Sequence, residues 1–197
     1  MKSNTLSLVA LRASRFLSCA VIVASAFVLL AHARGFEFLA GNSGALPPPL
    51  TALCVMLLAF GALVMSVSHL AARPTAQLAA LAGGALALTS AAQDWLRYTH
   101  GVDAWLFGDS GRFAGPVSMP TSFMLAGTAL AVMLIPNRGK AGSALFTVSG
   151  GGALLMVTAS LAGLVLGNST LASLGLERAP ALLATVMTGV LLVATFA

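Results

Sequence analysis

Six apolar stretches, each about 17 to 24 residues long, follow one another along this chain, and the segments between them hold most of the charged residues. A membrane-spanning helix needs about 20 consecutive, mostly apolar residues. Hydrophobic residues make up 58% of the 197 residues and charged residues 8%, whereas a soluble domain carries roughly 25% charged residues. A soluble chain of this size leaves roughly 30% of its surface exposed, and this composition cannot cover that surface with polar groups. The sequence therefore predicts an integral membrane protein and excludes soluble and disordered classes.

The apolar stretches predict an all-α integral membrane protein with six transmembrane helices, arranged as three helical hairpins with long outer loops. A single membrane domain is expected over 1–197, because the spans leave little room for a separate soluble domain. The predicted helices cover about 16–33, 50–70, 75–96, 119–135, 143–166 and 180–197. The fourth would be only about 25 Å long, so the bilayer must thin around it or interfacial residues must extend it.

The first apolar stretch has some features of a signal peptide. Lys2, Arg12 and Arg15 precede it, and Ala31-His32-Ala33 has the Ala-x-Ala pattern of a cleavage site. At 18 residues, however, the apolar run is long for a signal peptide. We therefore interpret this segment as the first helix.

Charge asymmetry predicts the orientation in the membrane. One set of segments holds six basic residues and no acid, namely Lys2, Arg12, Arg15, Arg73, Arg138 and Lys140. The opposite set holds Arg34, Arg97, Arg112 and Arg178 together with all five acids, Glu37, Asp94, Asp103, Asp109 and Glu177. Lys and Arg favour the cytoplasmic side. We therefore expect both termini in the cytoplasm and a multi-pass protein of a bacterial inner membrane.

The loops on the two sides also differ in length. The connections on the basic side are short, whereas those on the other side cover about 34–49, 97–118 and 167–179. A ligand site built from loops would therefore face outward. A net charge of +5 would suggest nucleic-acid binding in a soluble protein. Here the basic residues set orientation instead, and no nucleic-acid partner is expected.

An imperfect repeat accompanies the predicted hairpins. Each unit reads helix, long outer segment, proline and helix, and the prolines are Pro49, Pro120 and Pro180. Proline is well tolerated in the first turn of a helix, where its missing N–H costs nothing. The pattern favours three related hairpins, although any membrane hairpin can place a proline at a helix start.

The densest polar cluster ends the third predicted helix and contains Asp94, Arg97, Tyr98 and His100. Asp94 lies three residues before Arg97 and four before Tyr98, so the three can share one helix face. A carboxylate near the membrane is a candidate contact for a ligand or partner. The alternative is a local ion pair between Asp94 and Arg97 beside interfacial aromatic residues.

The following segment, 102–107, is too apolar for a loop in water. Trp105 and Phe107 flank a leucine, and Asp103 precedes them. This pattern predicts a short segment lying on the outer leaflet, where it either anchors the chain or contacts an apolar ligand or partner.

The sequence lacks the motifs of known catalytic and metal sites. It has no phosphate-binding loop, no His-Glu-x-x-His motif and no Cys-x-x-Cys motif. His32 and His100 both map to the outer side, so a pair of haem ligands is conceivable, but no spacing supports it. We therefore expect no enzyme activity, no cofactor and no metal in these residues, and a small transporter is a weaker alternative.

Small residues predict close helix packing. Gly163 and Gly167 form a small-xxx-small pattern on the fifth predicted helix. Such a pattern serves packing within the chain, or contact with a second copy in a homodimer. Membrane lipids and a larger membrane complex are the other expected partners.

The chain resembles the hydrophobic multi-helix input region of bacterial membrane sensor proteins. These MASE-like regions precede histidine-kinase or GGDEF modules. The resemblance rests on three steps in the sequence. The first two are Asp94-Trp95-Leu96 and Val102-Asp103-Ala104-Trp105-Leu106-Phe107, and the third is a helix start that occurs twice, as Met119-Pro120-Thr121-Ser122 and as Pro49-Leu50-Thr51-Ala52-Leu53. It covers about 35–190 as architecture and some 30 residues as motif. The resemblance implies a module that perceives an outer-leaflet or periplasmic signal and passes it to a cytoplasmic module.

A second function stays open. The last predicted helix reaches Ala197 without a Lys or Arg anchor, and no signalling module lies within the 197 residues. If the chain continues, a sensor is expected. If it ends there, a non-catalytic accessory subunit of a respiratory or photosynthetic complex, in contact with lipid or pigment, is expected.

Overall fold

The structure, a computed structural model, describes residues 2–34, 47–67, 72–96, 101–107, 117–136, 139–174 and 181–196, with the side chains of 2–8 and 103 excepted. Regular structure within these ranges is entirely α-helical apart from a single 3₁₀ residue. The helices are α1 (Lys2–Ala33), α2 (Pro49–Val67), α3 (Arg73–Trp95), α4 (Val102–Phe107), α5 (Met119–Leu134), α6 (Lys140–Val165), α7 (Ser169–Ala172) and α8 (Leu182–Phe196).

Four of these helices are long and apolar enough to cross a membrane. They are the Val9–Ala33 part of α1, and α2, α3 and α6, with lengths of 25, 19, 23 and 26 residues. Helices α5 and α8 are apolar but shorter, at 16 and 15 residues. The predicted all-α class is therefore confirmed for the described residues, and the long apolar helices fit the predicted membrane protein.

The observed start of α1 corrects the predicted boundary. The helix begins at Lys2 and not at residue 16, because residues 2–15 contain no proline or glycine that would stop it. The apolar run marked the membrane-spanning part and not the whole helix. Helices α3 and α6 also start earlier than expected, at Arg73 and Lys140 in place of residues 75 and 143.

Helices α2, α5 and α8 form the centre of the bundle, where each contacts the other two. The remaining long helices lie outside them: α1 packs on α2 and α8, α3 on α2 and α5, and α6 on α5 and α8. The central core contains the fully buried Leu58, Leu125 and Leu191, one from each central helix. Other large apolar side chains of these three helices are buried in the same core.

Glycines permit close approach between α2 and α3. A Cβ atom at Gly61 would lie 2.9 Å from the carbonyl oxygen of Ala76, and one at Gly83 would lie 3.1 Å from that of Cys54. These two contacts show that α2 and α3 run antiparallel, since residue 61 lies opposite 76 and residue 54 opposite 83. A larger residue at Gly61 would force the two backbones apart.

Polar side chains of the outer helices bind the last turns of the central helices at one end of the bundle. The hydroxyl of Ser14 donates to the carbonyl oxygen of Ala194 at 2.7 Å. The adjacent Arg15 donates to the carbonyl oxygen of Ser66 in α2, and the Gln77 amide of α3 donates to a carbonyl in the last turn of α5 at 3.3 Å. We name this end the basic end, because four of the five described Lys and Arg side chains, Arg12, Arg15, Arg73 and Lys140, lie there, whereas Arg34 lies at the opposite end.

Candidate functional site

The opposite end of the bundle, which we name the aromatic end, is built around the last turns of α3. The side-chain oxygen of Gln93 accepts a hydrogen bond of 2.8 Å from the backbone N–H of Val102, at the start of α4. The hydroxyl of Ser90 accepts one of 3.2 Å from the backbone N–H of Val117, just before α5. Two side chains of α3 therefore accept hydrogen bonds from the backbone at the starts of α4 and α5.

Large aromatic side chains project from this end. Trp105 of α4 is 84% exposed and Trp95 of α3 is 76% exposed. Phe107 is 37% exposed, whereas Val102 at the start of α4 packs against the central core. Burying apolar surface is worth about 25 cal/mol per Å², so these rings are expected to lie in lipid or against another molecule. Tryptophan favours the membrane–water interface, where its ring is apolar and its N–H meets water.

The residues of the predicted polar cluster fall partly outside the description. Asp94 lies half-buried in the last turn of α3. Arg97, Tyr98 and His100 lie outside the described residues, so the ion pair between Asp94 and Arg97 stays a prediction. Asp103 belongs to α4, but its side chain is not described.

Gly163 and Gly167 both lie where α6 ends, in different environments. Gly163 is buried against the backbone of Ala172 in α7, and a Cβ there would lie 2.6 Å from the Ala172 Cα. Gly167 has a φ of +65° and no atom within 4 Å of an added Cβ. The backbone N–H of Asn168 donates to the carbonyl oxygen of Gly163 at 2.9 Å, and the backbone N–H of Gly167 donates to the carbonyl oxygen of Leu164 at 3.4 Å. These two bonds form a Schellman motif, so Gly167 terminates the helix and Gly163 lets α7 pack closely.

Hydroxyl groups supply all the buried polar side chains of the described residues. Each of the buried polar or charged side chains in those ranges is a serine or threonine. Thr51 and Ser122, in the first turns of α2 and α5, have buried hydroxyls without a hydrogen-bond partner among the described atoms. In contrast, the Thr128 hydroxyl donates to the carbonyl oxygen of Met124, one turn earlier. Thr51 is the third residue of its helix, so no helical turn precedes it.

No group of three His, Cys, Asp or Glu side chains that could hold a metal ion occurs within the described ranges. The Nδ1 atom of His32 lies 2.8 Å from the carbonyl oxygen of Val28, one turn earlier in α1. The other two histidines, His69 and His100, lie outside the description. The described side chains therefore offer helix packing, hydroxyl hydrogen bonds and interfacial aromatic contacts.

The roles of Ser90 and Gln93 were not expected from the sequence. Their partners lie 27 and nine residues away, beyond the reach of helical spacing. A polar glutamine close to the end of an apolar helix was the available signal, but the sequence does not identify which N–H it accepts from.

Comparisons with known proteins leave the family open. No family model matches the chain, and no curated protein or solved structure matches it. The resemblance to sensor input regions therefore rests on the sequence steps described above.

Proposed function

We propose that the six apolar helices α1, α2, α3, α5, α6 and α8 are six membrane spans, paired as three hairpins, with both termini in the cytoplasm. The antiparallel contacts between α2 and α3 support this topology. Helices α5 and α8 would be about 24 and 22 Å long, less than the roughly 30 Å of bilayer hydrocarbon. Both are central helices, so the longer outer helices would contact most of the lipid.

Cysteine labelling in intact cells tests this topology. Single cysteines at Ser110 and Gly139 would be placed in a background with Cys19 and Cys54 replaced. A membrane-impermeant maleimide added outside is expected to label position 110 and not 139. Labelling of 139 alone would show the reverse orientation, and labelling of both would contradict the single span, α5, proposed between the two positions.

We propose further that the chain is a membrane-embedded sensory input module, without catalytic activity or a cofactor of its own, which perceives a signal in the outer leaflet or periplasm. The observation that supports this function is α4, a six-residue helix that projects Trp105 outward. Its first N–H is held by Gln93 of the long helix α3. An apolar or amphipathic molecule that displaces α4 would therefore act directly on a membrane-spanning helix.

Helix α3 connects the two ends of the bundle. At the aromatic end, Gln93 and Ser90 bind the entrances to α4 and α5. At the basic end, Gln77 of the same helix donates to the Met133 carbonyl of α5. A shift of α3 along its axis would change both sets of bonds, so a signal received at α4 would reach the proposed cytoplasmic side.

The test compares Trp105→Ser/Phe107→Ser with a matched control, Trp95→Ser, which removes an exposed tryptophan at the same end but outside α4. Each protein carries one cysteine at Gly139 and is reconstituted in phosphatidylcholine vesicles, with n-decanol as the apolar probe. Decanol is expected to change the rate of maleimide labelling at position 139 in the unmodified and Trp95→Ser proteins and not in the double variant. Equal rates with and without decanol in all three proteins would contradict the sensory function.

A second function, a non-catalytic accessory subunit of a larger membrane complex, is favoured by one feature of α6. An added Cβ at Gly151 or Gly152 would meet no atom within 4 Å, so a helix of another chain could approach this surface closely. Under this function, Gly152→Leu would release partner proteins that co-purify from native membranes. Mass spectrometry of the purified native chain would show these partners, and their absence would exclude the accessory function.

A further inference from the structure

Helix α1 extends beyond the two helices on which it packs, α2 and α8. It has 32 residues and a length of about 48 Å, whereas the hydrocarbon core of a bilayer is about 30 Å thick. At the basic end, Ser14 donates to the carbonyl oxygen of Ala194. The next residue, Arg15, donates to that of Ser66. Helices α8 and α2 end within two residues of these bonds. The segment 2–13 of α1, about 18 Å long, therefore lies past the ends of both neighbours.

One face of α1 is buried and the opposite face is exposed. From residue 14 to 28 the buried side chains follow intervals of four and three residues, and they are Ser14, Ser18, Val21, Ser25 and Val28. The exposed face has the same spacing and begins earlier, and we name its side chains the α1 stripe: Val9, Ala13, Phe16, Ala20, Val23 and Phe27. Intervals of four and three residues place side chains in one row along a helix, which is the pattern of a coiled coil. The α1 stripe is therefore a continuous apolar row that the described helices leave exposed.

Lipid chains account for only part of the α1 stripe. They can cover the rings of Phe16 and Phe27, which lie beside the membrane-spanning part of the bundle. Val9 lies about 7 Å before Ser14 along the helix, and the exposed cation Arg12 lies between them. A guanidinium is costly to place among acyl chains, so Val9 is expected at the lipid head groups or in water. Its side chain is 65% exposed, and burying apolar surface there gains about 25 cal/mol per Å². A protein partner therefore accounts for the whole stripe, whereas lipid does not.

We propose that the α1 stripe pairs with the stripe of a second copy, so that two α1 helices run parallel around a two-fold axis. Copies with the same membrane orientation present α1 in the same direction, and a two-fold pair places each residue of the stripe opposite itself. In the stripe, the small Ala13 and Ala20 alternate with the larger Phe16 and Val23, which leaves room for side chains of the facing helix to insert. A second α1 also extends past the bundle, so it covers Val9. This inference does not depend on the sensory function.

Oxidative cross-linking of the full chain in native membranes tests the proposal. Each protein carries a single cysteine, with both native cysteines replaced. Ala20→Cys places a thiol in the α1 stripe, opposite its own copy. Val186→Cys is the matched control, because Val186 is an exposed residue of α8 and the bond between Ser14 and Ala194 places it at a similar depth. Copper phenanthroline is expected to give disulfide-linked dimers with Ala20→Cys and to leave Val186→Cys monomeric.

Three outcomes would overturn the proposal. Equal cross-linking of Ala20→Cys and Val186→Cys would show random collision in the membrane, and no cross-linking of either would show that the stripe faces no second copy. Cross-links that form only when Ala20→Cys and Gly152→Cys chains are mixed would show that α6 of another copy covers the stripe. If Ala20→Cys does not accumulate, Phe16→Cys takes its place with the same expected result. Val9→Cys is also expected to form dimers, since the pair continues past the bundle.

Discussion

The guanidinium of Arg15 binds the carbonyl oxygen of Ser66, 51 residues away, with its Nη2 atom at 2.8 Å. The bond joins α1 to the last turn of α2, where backbone carbonyls lack helical partners. The neighbouring Ser14 binds α8 in the same way. Two consecutive residues of α1 therefore form hydrogen bonds to the last turns of two central helices, α8 and α2.

Arg15→Gln is expected to lower the free energy of unfolding by about 1–2 kcal/mol, because a charge-assisted hydrogen bond and its interaction with the helix dipole are lost. Thermal unfolding in detergent, followed by circular dichroism, measures the change. Arg12→Gln is the matched control, since Arg12 is exposed and an exposed substitution changes stability by about 0.5 kcal/mol or less. Equal losses in the two variants would argue against the bond.

Gly61→Ala is expected to destabilise the bundle by about 1–2 kcal/mol, since the added methyl group would lie 2.9 Å from the Ala76 carbonyl. The control is Gly151→Ala in α6, where nothing lies within 4 Å of the new group. There the higher helix propensity of alanine is expected to raise stability by up to about 1 kcal/mol. Melting curves of the two variants that shift in the same direction would contradict the α2–α3 contact.

Thr51→Val should raise the melting temperature. Valine has nearly the shape of threonine and removes a buried hydroxyl that lacks a partner in the described structure. An unsatisfied buried hydroxyl costs about 1–3 kcal/mol. Thr128→Val is the comparison, because the Thr128 hydroxyl donates to Met124, and its loss is expected to lower stability by about 1 kcal/mol. A lower melting temperature for Thr51→Val would show that its hydroxyl is bound after all.

Gly167→Ala and Gly167→Asn distinguish helix termination from helix packing. At a φ of +65°, alanine costs about 1–2 kcal/mol, whereas asparagine tolerates this conformation. Asparagine is therefore expected to retain most of the stability, although it is the larger residue. If packing against another helix were the role of Gly167, asparagine would be the more damaging substitution in the same unfolding experiment.

Asp94→Ala is expected to destabilise the protein more than Asp94→Ala combined with Arg97→Ala. The single change would leave the Arg97 cation without its predicted partner at the membrane interface, and the double change removes both charges. Chemical unfolding of the two single variants and the double variant gives the coupling energy. A coupling energy near zero would mean that the two side chains do not pair.

The sequence predicted the helices because the apolar character and the length of a stretch are local properties. The helical class follows from stretches such as the one ending at Ala33, whereas the start of α1 at Lys2 depends on polar residues that a hydropathy argument leaves out. Contacts between distant residues could not be predicted in this way. Ser14 and Ala194 are 180 residues apart, and nothing in either local sequence specifies the other.

The segment 102–107 illustrates what the sequence predicts and what it does not. Trp105 and Phe107 indicated an interfacial segment by composition alone. The acceptor that holds this segment, Gln93, lies on another helix, and its bond to the Val102 N–H is a contact that the local sequence does not specify. The glycine Gly167 precedes Asn168 and Ser169, a pattern typical of one helix ending and another beginning. The spacing from Gly163 alone does not distinguish this termination from packing.

The distance between the ends of two outer helices at the basic end tests most directly whether α4 acts on the rest of the bundle. Spin labels at Thr75 of α3 and Ala144 of α6, both exposed, would report this distance by pulsed electron paramagnetic resonance in lipid nanodiscs, with Cys19 and Cys54 replaced. Trp105→Ser/Phe107→Ser is expected to shift the distance distribution relative to the unmodified chain, while Trp95→Ser leaves it unchanged. Identical distributions in all three folded proteins would contradict a coupling between α4 and the basic end.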